Sequence, residues 1–145
     1  MPDNTTRLIA FMERVWNAGE VAAVDEFLGP QYTIYSDPGD PWDGQTLSIS
    51  GFKDRLLTSR APFPDLTFDI GEIVSAGDRV VLSWTMRGTQ LGSMGGRPPS
   101  GRSFAVRGMT IYHFADGRII GHQQVVDRLS VAQQLGLLGT STGLL

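Results

Sequence analysis

One short stretch near the end of the chain, GHQQVVDRLS (residues 121–130), brings together an imidazole, a carboxamide and a carboxylate. His122 is the group there whose charge changes near neutral pH, so it is the best candidate base. Gln124 can hold a ligand oxygen with its NH2 or a hydroxyl with its carbonyl. Asp127 is a second candidate acid, and the Thr110 hydroxyl can orient either His122 or Gln124. This set suits proton transfer to and from an organic ligand. Nothing in the sequence resembles a metal site, a phosphate loop or a nucleotide fingerprint.

The elements that must hold these groups follow from periodicity. LTFDIGEIV, RVVLSWTMRGT, SFAVRGMTIYHF and RIIGHQQVVD alternate with a period of two and read as four strands joined by hairpin-like turns at AGD and ADG. Upstream, Leu8, Phe11, Met12, Val15 and Trp16 recur at helical spacing behind a cap at Asn4. A short second helix carries Val21, Val24, Phe27 and Leu28, and QYTIYS reads as a brief strand. A third helix, GFKDRLLTSR, has Ser50 as its expected cap, and LSVAQQLG forms a last short helix. DPGDPWDGQ is a loop, GSMGGRPPSGR a longer, mobile-looking connection, and the Gly/Ser/Thr tail is expected to fray. Helices first and a strand meander afterwards predict an α+β fold, a cone-shaped barrel whose curved antiparallel sheet is covered by N-terminal helices, as one domain over residues 1–145.

Alternation assigns faces. One parity is apolar, with Leu66, Phe68, Trp84, Val106, Tyr112, Phe114 and Ile120 among its members, and it also contains Thr110, His122 and Gln124. A turn centred on Asp116–Gly117 puts Thr110 opposite Gln124. Polar side chains on a covered face cost about 1–3 kcal/mol each if unpaired. They therefore either satisfy one another in a core network without chemistry or line a ligand-sized hollow. Phe52, Leu56, Phe63 and Trp84 are walls of that hollow or plain core. The opposite parity carries Met109, Ile111, Ile119 and Val125, which points to a two-fold homodimer through the outer sheet face.

Composition bounds the function. The chain has 145 residues, 41% of them apolar, and a net charge of −3 without any Lys/Arg run, which argues against a nucleic-acid groove or an anionic membrane patch. The absence of cysteine removes disulfides, thiol nucleophiles and thiolate metal sites. MPDNTTRLIAF lacks a signal peptide's basic start, and no apolar window spans a bilayer, so a cytoplasmic protein is expected.

From Leu8 to Gly136 the ordered set FMERVWNAG, FPDL, MRGT, GRPPSGR, FADGRIIGH and QQLG resembles the SnoaL-like polyketide cyclase family, of the nuclear transport factor 2-like superfamily. The resemblance implies an enzyme without a bound cofactor, acting on anthracycline-type aromatic polyketides. It implies that cyclases of the family close a ring by an aldol step, with a carboxylate on the last strand and an assisting His on the previous one. Aligned without gaps, those positions hold Gln124 and Thr110 here, while His122 and Asp127 match a family His and an acid after the strand. An amide cannot take a proton from carbon, and the chain is similar in overall pattern to a branch of the family associated with hydroxylation of the polyketide ring, so the resemblance implies ring hydroxylation. The alternatives are a cyclase with Asp127 or His122 as base and a non-catalytic small-molecule-binding dimeric module. The same alignment puts Trp16 and Arg55 at substrate-lining positions. Tyr32, Tyr35, Asp37 and Asp40 lie near a loop expected to form the cavity mouth. Asp127 has a structural alternative, capping the last helix in D-R-L-S.

Overall fold

The computed structural model describes residues 3–138. Helix α1 (Asn4–Phe11) is capped by Asp3, whose carboxylate accepts from the Thr6 N–H at 2.8 Å, one residue before the expected Asn4. It continues into a π-helical segment, Met12–Asn17, that buries Met12, Val15 and Trp16. Asn17 fixes the end of this segment to the sheet edge: its amide donates to the Phe68 carbonyl and its carbonyl accepts from the Phe68 N–H. A 3-10 turn, Val21–Ala23, leads into a single turn of helix, α2 (Val24–Phe27). Leu28 already has extended backbone, so the second helix is shorter than expected and β1 (Leu28–Ser36) is longer. The reason is tertiary: Leu28 pairs with Ile119, ninety-one positions further along the chain.

β2 (Thr46–Ser48) precedes α3 (Ile49–Arg60), which is capped by Ser48 rather than Ser50. Then follow β3 (Thr67–Ala76), β4 (Arg79–Thr89), β5 (Ser103–Ala115), β6 (Arg118–Val126) and α4 (Arg128–Gln134). The six strands form one curved, unclosed sheet in the order β2-β1-β6-β5-β4-β3. β3 to β6 are the expected meander, and β1 joins it in parallel with β6. The α+β cone with helices on the concave face is as expected from the sequence.

The β5–β6 turn has positive φ at both Asp116 and Gly117, the mirror-image turn whose twist suits a two-residue hairpin. It sets Thr110 opposite Gln124 and Tyr112 opposite His122. Between these pairs and the turn the ladder slips: His113 pairs with Gly121 but Phe114 with Ile119, leaving Ile120 as a bulge. The extra residue inverts parity toward the turn. Ile119, expected on the dimer face, is instead in the core at 1% exposure, and Ile120 is only half-buried.

The core lies between α1, α3 and the concave face. Phe11 meets Phe27 and Tyr112 edge-on at 5.8 and 5.9 Å, and Tyr32 meets Phe52 at 4.8 Å. Each buried aromatic or aliphatic side chain of this size contributes about 1.5–3 kcal/mol. The connection after β4 has an internal anchor. Gln90, 1% exposed, accepts from Ser100 at 2.7 Å and donates to the Pro98 carbonyl at 3.3 Å. No helix among the described residues is long and apolar enough to cross a membrane. Residues 139–145, which hold most of the Gly/Ser/Thr tail, lie outside the described residues.

Candidate active site

Asp37 follows the last residue of β1 and is fully buried. The chain turns away at Pro38–Gly39, with Gly39 at φ +90°, and the Asp37 N–H donates to the Asp43 carboxylate at 2.7 Å. Four side chains from three elements converge on the Asp37 carboxylate. Gln124 and His122, from β6, donate to Oδ2 at 2.7 and 2.9 Å. Arg55, from α3, reaches Oδ2 at 3.3 Å, and Arg128, at the start of α4, donates to Oδ1 at 2.8 Å. Arg55 also approaches Asp40 at 3.4 Å and lies between two indoles, its Cζ 5.5 Å from the Trp16 ring and 6.0 Å from Trp42. Two carboxylates and two guanidiniums thus balance, which permits so polar a group inside the fold.

Charge balance fixes proton positions. With two guanidiniums on it, Asp37 is ionised and only accepts. Burial pushes its carboxyl up, but the hydrogen bond from His122 and the hydrogen bond and charge of Arg128 outweigh that and hold it below the ordinary carboxylate value. His122 Nε2 therefore carries hydrogen and donates to Asp37. Burial holds the imidazole below its ordinary value, against the opposing pull of Asp37, so it is neutral and Nδ1 is its free lone pair. Tyr32 fills that lone pair: its hydroxyl donates to His122 Nδ1. Burial raises the Tyr32 phenol well above its ordinary value, so it keeps its proton at rest. The outcome is an ordered line, Tyr32 to His122 to Asp37.

A second line ends on the same oxygen. Trp84 Nε1 donates to Thr110 Oγ1 at 2.9 Å, Thr110 donates to Gln124 Oε1 at 2.8 Å, and the Gln124 amide donates to Asp37. This explains Thr110 and Gln124 on the covered face of the β5–β6 pair: each is one link in a directed chain. Among the described residues, every buried polar side-chain atom has a partner.

His122, Gln124 and Thr110 are thus brought together, with Tyr32 bonded to His122, Trp84 to Thr110, Arg55 to the Asp37 carboxylate and Trp16 against Arg55. Tyr112 packs beside His122, with ring centroids 6.1 Å apart, and points its hydroxyl at Met12 Sδ. Phe52 packs on Tyr32 and Trp16, while Leu56 is fully buried on the same helix. Phe63 is placed apart, edge-on to Phe104 at 5.0 Å. Asp127 is not part of the cluster: it is exposed and caps α4, accepting from the Ser130 N–H at 3.1 Å, because β6 ends before it and its parity is opposite to that of His122. Tyr32, Asp37 and Asp40 are not at a mouth but inside, whereas Tyr35 is exposed; sequence reasoning missed Asp37 as the centre of the cluster and Arg128 altogether. The signal available was D-P-G-D after an apolar strand, a turn that re-aims its first residue.

On the convex face an open groove of about 850 Å³ runs over Met109, Val125, Leu129 and Arg107 and reaches Pro38 and Arg128. Met109 and Val125 are 57% and 71% exposed. Tyr35 stacks on His113 nearby, with ring centroids 4.4 Å apart.

The family model for SnoaL-like polyketide cyclase matches residues 6–135. No curated protein matches the chain. A candidate polyketide cyclase from Acidithiobacillus ferrooxidans is 40% identical, with a TM-score of 0.88 over 94% of this chain and 96% of that one. IdmH, a candidate polyketide cyclase from Streptomyces antibioticus, is 27% identical, with a TM-score of 0.79 over 93% of this chain and 99% of its own. AclR, a candidate hydroxylase from Streptomyces galilaeus, shares the fold at 23% identity and a TM-score of 0.76, over 94% of this chain and 100% of its own. The chain belongs to the SnoaL-like polyketide cyclase family.

Proposed function

We propose that the protein is a proton-transfer enzyme that closes a ring in an acidic, aromatic polyketide intermediate by an intramolecular aldol step. The observation that carries this reading is the Tyr32–His122–Asp37 line. Residue 124 is an amide, so the base must be elsewhere, and this line supplies one. A carbon-bound substrate proton passes to the Tyr32 oxygen as that oxygen gives its own proton to His122 Nδ1. Asp37 stabilises the imidazolium through Nε2, as a buried carboxylate does for a catalytic histidine. The enolate carbon then attacks a carbonyl carbon of the same molecule, and the proton returns along the line to the new alkoxide. No electron or co-reactant is consumed.

The charge inventory supports an acidic substrate. The buried cluster is neutral when His122 is neutral, with Asp37 and Asp40 against Arg55 and Arg128. A bound enolate together with an imidazolium restores that balance, whereas an enolate alone would leave one buried charge unmatched.

Ring hydroxylation is the second reading, favoured by one observation: Gln124 is locked between Thr110 and Asp37 and offers no carboxylate. The same proton transfer would then create a phenolate or carbanion that adds molecular oxygen as a hydroperoxide, and an external two-electron donor with two protons would cleave its O–O bond to leave the hydroxyl and release water. Incubating anthracycline-type precursors under labelled oxygen separates the two. Cyclisation gives a product of unchanged mass, and hydroxylation incorporates label. A protein that turns over neither, and in which His122→Ala changes only affinity, is a binding module, and the enzymatic reading fails.

A further inference from the structure

Of the donors on Asp37, Arg128 stands apart. Its side chain is 39% exposed, against 5% for Arg55 and 2% for His122. It also stands alone on Oδ1, whereas Oδ2 receives His122, Gln124 and Arg55. Its Nε donates to the Pro38 carbonyl at 2.9 Å, so one planar fork holds both the carboxylate and the backbone after it. The chain is shaped to admit that fork. A Cβ at Gly39 would lie 2.9 Å from Arg128 Nε and nearer still to its stem. On its other side Arg128 forms part of the convex groove.

We propose that Arg128 is a positioning residue of the His122–Asp37 pair, which occupies Oδ1 from the solvent side, keeps Oδ2 aimed at the imidazole and sets the proton affinity of His122. This rests on the reading of His122 as the proton-transfer group. The charged and titratable groups that face the pair are Arg55 from α3, Asp40 and Asp43 from the loop after β1, Tyr32 from β1, Tyr112 from β5 and Arg128 from α4. Arg128 is the cation among them that is partly in water, so its removal subtracts a positive charge without opening the core. Loss of that charge favours the imidazolium, and a carboxylate freed at Oδ1 favours it further.

The test is a pH titration of the His122 ring resonances by NMR in the full chain, with no substrate present. Arg128→Gln is expected to raise the His122 midpoint by about one pH unit, and to move the acid limb of kcat upward by the same amount. Arg128→Lys keeps the charge but cannot bond both Asp37 and the Pro38 carbonyl. It is expected to hold the midpoint within about 0.3 unit while kcat falls. An unchanged midpoint in folded Arg128→Gln overturns the proposal, as does a uniform loss of kcat with no shift in its pH profile. If Arg128→Gln does not fold, the Lys variant decides: a midpoint displaced by a full unit shows that charge is not the cause. The midpoint is read without turnover. A shifted His122 in a protein lacking cyclase and hydroxylase activity would therefore sink the functional reading and leave the role of Arg128 intact.

Discussion

The Gln124 amide donates to Asp37 Oδ2 at 2.7 Å while its carbonyl accepts from Thr110. A neutral amide can do both, whereas an ionised carboxylate there could only accept. Gln124→Glu would set two carboxylates against each other, and one would have to hold a proton. The variant is expected to lose about 1–3 kcal/mol at pH 7.5 by denaturant unfolding, and to recover part of it at pH 5. Equal stability at both pH values would contradict the assigned direction of this bond.

Tyr32→Phe removes the hydroxyl that fills His122 Nδ1 and keeps the ring against Phe52. The expected outcome is a fall in kcat of about 100- to 10,000-fold, the usual range for a general acid–base group, with a change in KM below threefold. Activity near wild type in Tyr32→Phe would remove Tyr32 from the proton path and leave His122 to act directly.

Stability should depend on pH in a defined sense. His122 binds its proton more weakly folded than unfolded, so below its ordinary value of 6.5 the unfolded chain carries the extra proton and stability falls as pH falls. Asp37, also held below its ordinary 3.8, adds a second loss in the same direction at lower pH. Tyr32 is shifted upward, so its contribution is lost as pH rises above 10. Urea midpoints between pH 4 and 8 check the acid side: His122→Gln is expected to flatten the slope between pH 5 and 6.5.

Gly108 faces the Trp84 indole across the β4–β5 pair. A Cβ there would overlap that ring and lie 2.7 Å from the Val125 carbonyl. Because Trp84 starts the hydrogen-bond chain to Gln124, Gly108→Ala should both destabilise and disorganise the site. We expect a cost of about 1–3 kcal/mol from overpacking and a red shift of tryptophan emission. A fully stable variant with unchanged emission would show that the indole has room to move.

The convex groove bears on assembly. We propose that two chains pair through the face carrying Met109, Ile111 and Val125, without Ile119, which the bulge at Ile120 turns inward. Val125→Glu, at a 71% exposed position, should shift sedimentation from dimer to monomer without loss of fold. A wild-type chain that sediments as a monomer at 100 μM would rule the pairing out.

The meander was legible because period-two alternation and the Asp116–Gly117 turn are local signals, and they sufficed to set Thr110 against Gln124. Ile119 was misplaced because a single bulge residue inverts parity without a sequence mark. Asp37 was legible as a loop acid and not as the centre of the site. Its burial depends on β1 lying parallel beside β6, a pairing that no local pattern encodes. Arg128 escaped for the same reason: its partner stands ninety-one positions earlier.

That parallel pairing also orders events in time. Tyr32 and His122 are ninety positions apart, and Gly121 is needed between their strands, since a Cβ there would lie 2.7 Å from the Tyr35 ring. Loops of such span close slowly and late, after nearby hairpins have formed. A nascent or half-refolded chain can thus hold its meander and yet have no catalytic competence, so regain of activity should lag regain of β-sheet signal.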